Sequence, residues 1–188
     1  MRMVAIVAVA VVVTACGGSD PLSFEEYFDA VGWLSADYQE ERDDLTTSYL
    51  GDLDAEITAL QRSVDESDTA AVEALSVEAF ELTKAETAKL FASIGDVLAR
   101  FGDGLGDLDP PVDVEPLHAE LVRSVQLAAA GIPGLLDAVA EAESFETLDS
   151  AIAGSVFNDA QPRLEGACRR LEEDASERGV PTDLSCGP

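Results

Sequence analysis

A chain of 188 residues with 38 acidic and 11 basic side chains carries a formal charge of −27. So strong a negative field works against nucleic acid and anionic lipid headgroups, and favours cations or basic partners. The length, with 47% hydrophobic residues, suits one domain with its own core.

The first fifteen residues read as a leader. Arg2 gives a short positive start, residues 3–13 are an unbroken apolar run, and Thr14 and Ala15 are small. A charged start, a short apolar stretch and small residues at the cut describe a secretory signal. A spanning helix would need about 20 apolar residues. Val13-Thr14-Ala15-Cys16 resembles the lipobox of bacterial lipoproteins: an aliphatic residue, two small ones, then the cysteine. Val stands where that motif more commonly has Leu. The resemblance implies a lipid on the Cys16 thiol, cleavage before Cys16 and acylation of the new N-terminus. The membrane is then a partner through the lipid, on the extracytoplasmic face of the cell membrane. Two or more acyl chains give stable attachment where one gives marginal anchoring. Residues 17–21, Gly-Gly-Ser-Asp-Pro, read as a flexible tether. The chain thus divides into a leader over 1–15, a lipidated cysteine and tether over 16–22, and a helical domain over 23–188.

Ser23 with Glu26 is a capping box, which predicts a helix start. Apolar residues at three- and four-residue steps, from Tyr27 and Phe28 through Tyr38, Leu53 and Leu60, continue that helix to about residue 65. A bend is allowed at Gly51, and Trp33 should sit at the edge of the buried seam. A polar turn over 65–68 leads to a second helix over about 69–101. Residues 102–111, Gly-Asp-Gly-Leu-Gly-Asp-Leu-Asp-Pro-Pro, read as a loop. Asp113 is placed to cap a third helix, and Gly131-Ile132-Pro133-Gly134 should kink or break it. Ser144 is placed to cap a fourth, running to Gly179 with a kink at Pro162. No stretch alternates with period two for long enough to make a sheet. The fold expected is all-α, an up-down four-helix bundle of long amphipathic helices.

Two cysteines remain beside Cys16. In an exported chain disulfides form and persist, so Cys168 and Cys186 are read as a disulfide clamping the C-terminal tail onto the fourth helix. Two free thiols are the alternative. The arrangement resembles uncharacterised helical lipoproteins of actinobacteria, on the Pro-Pro loop leading to Leu117-His118-Ala119-Glu120-Leu121-Val122 and the ending Ala167-Cys168-Arg169-Arg170-Leu171 with Leu184-Ser185-Cys186. That resemblance implies no activity.

Candidates for chemistry are few. Glu115 and His118 have the Glu-x-x-His spacing of di-iron bundles, but such a site needs two of these motifs and His118 is the only histidine. Asp103, Asp107 and Asp109, interleaved with glycines, are the place where a cation could approach, although their spacing is not that of an EF-hand. Neither Gly-x-Ser-x-Gly nor a phosphate-binding Gly-x-x-x-x-Gly-Lys occurs. Phe24, Tyr27, Phe28, Trp33 and Tyr38 sit at helical spacing and read as core rather than as a pocket lining. The expectation is a lipid-anchored, non-enzymatic interaction or structural module without cofactor, meeting an envelope protein partner and no nucleic acid. The alternative is a lipoprotein binding a cation or small ligand, at the bundle end or over 102–111.

Overall fold

The structure is a computed structural model, and it describes residues 21–65, 67–180 and 182–184. The leader, Cys16 and Cys186 lie outside the described residues. Among the described residues every regular element is a helix: α1 (Phe24–Arg62), α2 (Thr69–Gly106), α3 (Glu115–Glu141), α4 (Phe145–Ala153) and α5 (Val156–Glu177). No helix among them is long and apolar enough to cross a membrane.

The start of α1 is the capping box read from sequence. The Ser23 amide donates to Glu26 Oε2 at 3.0 Å, and the Glu26 amide donates back to Ser23 Oγ at 3.3 Å. Two otherwise orphaned amides are satisfied. The Ser23 contacts hold the Glu26 carboxyl below its usual range. The helix runs through Gly51 without interruption. Asp68 caps α2, accepting from the amides of Ala70 and Ala71.

Three glycine-marked expectations are corrected. Helix α2 does not end near residue 101 but continues to Gly106, so half of the expected 102–111 loop is helical. Phe101 and fully buried Leu105 hold that extension to the core, which offsets the roughly 1 kcal/mol that each helical glycine costs. Two of its three glycines stand where a neighbour comes close, while Gly106 has nothing within 4 Å. A Cβ on Gly104 would lie 2.7 Å from Leu34 Cδ2, and one on Gly102 would lie 3.3 Å from Val125 Cγ1. Second, the break allowed for at Gly131-Ile132-Pro133-Gly134 does not occur, and α3 continues through it. Third, the expected fourth helix is two. Its break falls at Gly154 and Ser155, where none was expected, while the helix does run on through Pro162 inside α5. Ser155 Oγ accepts from the Asn158 amide at 3.0 Å, and Asn158 Nδ2 donates to the Ala153 carbonyl at 3.0 Å. The freed backbone groups are thus met on both sides of the break. Asp113 does not cap α3 either. Val114 is the N-cap, without a side-chain cap bond.

Successive long helices run antiparallel. Gly104 lies against Leu34 and Gly95 against Ile132, Tyr49 Oη is 3.1 Å from Thr87 Oγ1, and Arg170 reaches Glu120. Helices α2 and α3 form the middle, with α1 packed on α2, α5 on α3, and α4 on the end of α3. The main core joins Tyr27, Phe28 and Val31 with Leu98, Leu121, Val125, Leu171 and the tail residue Leu184. A smaller one gathers Phe80, Leu135, Val139, Ala142 and Leu148. Since α3 ends at the level of Phe80, α2 extends beyond it by residues 69–79, about 16 Å.

Candidate functional site

One pole of the bundle gathers the segments that the sequence singled out. The start of α1 is tied to the α2–α3 connection by the Leu22 amide, which donates to the Asp109 carbonyl at 3.0 Å. Tyr27 is fully buried there, and its hydroxyl shares a 3.1 Å hydrogen bond with His118 Nδ1. Burial pushes the Tyr27 hydroxyl pKa up, with Asp174 adding to the effect, and pushes the His118 imidazole down. The histidine is therefore a neutral core group. Glu115 is exposed at the start of the same helix, and no second histidine exists in the chain.

At the same pole Arg178 closes α5. Its guanidinium lies 4.3 Å from the Phe24 ring centroid, its Nε donates to Asp174 at 2.7 Å, and Asp113 is 3.8 Å away. The hydrogen bond to Asp174 raises its pKa further. Gly179 then turns the chain at φ 74°, a left-handed conformation that favours glycine. The tail comes back across the bundle. A Cβ on Gly32 of α1 would sit 3.6 Å from Thr182 Oγ1, and the Leu184 carbonyl oxygen is 3.7 Å from Cys168 Sγ on α5. The tail thus lies between the first and last helices.

Asp103, Asp107 and Asp109 are all exposed. Asp103 is on the last turn of α2, and Asp107 is its C-cap, with its amide donating to the Asp103 carbonyl at 3.1 Å. Among the described residues no group of three or more His, Cys, Asp or Glu is arranged to hold a metal ion. The aromatic group of α1 is core in Tyr27, Phe28 and Tyr38, the last stacked on Phe101 at 4.9 Å. Trp33 is not at the seam edge but 79% exposed.

Grooves lie along the helix pairs. Between α1 and α2, one of about 510 Å³ is bordered by Glu41, Asp44, Asp96 and Arg100, with Arg100 bonded to Glu41. A second of about 540 Å³ lies nearer the hairpin tip, bordered by Glu56, Glu78 and Glu81. A third groove, of about 310 Å³, differs in sign: Arg123, Arg163 and Arg170 line it between α3 and α5. Sequence reasoning missed this one. Arg123 is some forty residues from the other two, and only the antiparallel packing of α3 on α5 brings them together. The arginines stand out singly in an acidic chain, but nothing local pairs them.

No protein-family model, no curated protein and no solved structure matches this chain.

Proposed function

We propose that this chain is a bacterial lipoprotein, held by acyl chains on Cys16 at the extracytoplasmic face of the cell membrane. Its helical domain acts there as a non-enzymatic interaction or structural module for envelope partners. The observation that carries this reading is Val13-Thr14-Ala15-Cys16, placed directly after the apolar run over 3–13 and seven residues before the capping box at Ser23. The signal, the lipid site, a short tether and the domain start follow one another in order. Metabolic labelling with a fatty-acid probe tests it. Cys16→Ser should abolish the label, and a label that persists refutes the anchor. Crosslinking in intact envelopes then identifies what the domain meets.

The same reading pairs Cys168 with Cys186, since export is what permits the bond. Its support is the position of Leu184, two residues before Cys186 and already buried against Cys168. Closing a loop of this size contributes on the order of 3 kcal/mol. Reduction should lower the melting temperature by roughly 6–12 °C for a domain of this size, and an unchanged melting curve refutes the pairing.

A further inference from the structure

In a chain with 38 carboxylates and 11 basic residues, an exposed arginine has acids on every side. Of the eight described arginines, half use them: Arg42 with Asp43, Arg100 with Glu41, Arg170 with Glu120 and Arg178 with Asp174. Arg62, Arg123, Arg163 and Arg169 do not, and of these only Arg123 and Arg163 face one groove. Both are exposed, both line the α3–α5 groove, and among the described residues neither makes an ion pair or a side-chain hydrogen bond. Arg170 shares the groove and is bonded to Glu120 at 2.6 Å. Glu120 is the single carboxylate of the lining. Three guanidinium groups against one carboxylate leave the groove positive, on a protein that is otherwise strongly negative.

The local geometry keeps the groove open to a ligand. Gly166 contributes no side chain, and a Cβ there would come within 3.4 Å of Arg170 Nη1. Ser124 gives its hydroxyl to the Glu120 carbonyl at 2.8 Å, so the donors open to a ligand are those of Arg123 and Arg163 and the ones Arg170 does not spend on Glu120. A guanidinium presents N–H groups in a planar fork that matches the oxygens of phosphate. Two such forks with no acid to occupy them repel each other weakly across water, and a bound anion would remove that repulsion. The volume is at the lower end of small-ligand pockets, about 300–1,000 Å³, which suits a phosphate group with a small substituent.

We infer that the groove between α3 and α5 binds a phosphate group, held by the guanidinium forks of Arg123 and Arg163 with Arg170 beside them. The group could be carried by a soluble phosphate compound or by a phospholipid headgroup, and the chemistry of the grip is the same. The site is at neither place expected from sequence, and it stands whether or not Cys16 carries lipid.

The test uses the full chain carrying Cys16→Ser, so that no acyl chain contributes. Inorganic phosphate is titrated at constant ionic strength and followed by 31P line broadening and by melting. Flotation is run with vesicles of phosphatidylcholine alone and of equal parts phosphatidylcholine and phosphatidylglycerol. Phosphate should broaden and raise the melting temperature, since a ligand of the folded state stabilises it. Arg123→Gln with Arg163→Gln should weaken this by at least about tenfold while leaving the phosphate-free melt unchanged, because neither side chain has a partner to lose. Arg62→Gln with Arg169→Gln removes the same charge from exposed positions outside the groove and should bind as the parent does. Binding of phosphate without flotation assigns the site to a soluble compound. Flotation only with phosphatidylglycerol, lost in the Arg123/Arg163 variant, assigns it to a headgroup. The proposal is overturned if neither probe binds, or if the Arg62/Arg169 variant loses as much as the groove variant.

Discussion

Gly131→Ala is the sharpest test of how α5 is seated. Two glycines lie three residues apart in α3, and both should gain from alanine by the same helix-propensity difference, about 1 kcal/mol. Around Gly134 there is nothing within 4 Å of an added Cβ, so that gain should appear in full. Around Gly131 the added carbon would sit 2.4 Å from the Phe157 amide nitrogen and 2.9 Å from its Cα. These are backbone atoms in the first turn of α5, and no rotamer change moves them aside. Overpacking costs about 1–3 kcal/mol, and a backbone clash belongs at the upper end. Gly131→Ala should therefore lose about 2 kcal/mol net, and the two variants should differ by about 3 kcal/mol. For a domain of this length the difference corresponds to roughly 6–12 °C in melting temperature. Circular dichroism melts of the parent and both variants measure it. A Gly131→Ala protein that melts at or above the parent would refute the close approach of α3 and α5, and with it the reason given for the glycine.

Other outcomes follow from the pole where the chain ends meet. Burial holds His118 neutral and below its ordinary pKa, so the unfolded chain takes up a proton that the folded one resists. The histidine's contribution is present above about pH 6.5 and is lost as pH falls from there toward the folded-state value. Denaturant titrations across that window should show a steeper loss in the parent than in His118→Gln; identical slopes would sink this account. Tyr27→Phe strips the buried imidazole of its partner and should cost about 1–3 kcal/mol, read as a lower denaturant midpoint. Leu184→Ala removes a fully buried side chain from the tail and should cost about 2–5 kcal/mol, whereas a neutral result would mean that the tail packs without contributing to stability.

What the sequence could disclose was set by how local each signal is. The capping box at Ser23 and the apolar stepping of α1 involve residues a turn apart, and both stand in the structure. Glycine was the difficulty because it has two uses with one appearance. It breaks helices through its backbone freedom, and it lets helices approach through its missing side chain. Gly102, Gly104 and Gly131 are of the second kind, and the neighbours that make them so, Val125, Leu34 and Phe157, are distant in sequence. The break at Gly154 did have a local cue in Ser155 and Asn158, masked by apolar periodicity that carries on across it. Trp33 shows the limit of periodicity itself, since a residue next to a buried stripe can face either way. The arginine groove was beyond sequence reading for the plainest reason: Arg123 and Arg163 are neighbours only once α3 and α5 have packed.

The start of α1 and the tail meet at one pole while the α1–α2 hairpin extends away from it. Helix α1 has 39 residues, so the turn at its far end is up to about 58 Å from the point where the tether enters. If Cys16 is anchored as proposed and the bundle stands on this pole, the hairpin becomes a spacer that sets working height. Its tip would stand several Debye lengths, each about 8 Å at physiological salt, above the headgroups, where the charge of the bilayer is no longer felt. A partner flush with the lipid would meet only the tethered pole. One that meets the tip would have to rise to it.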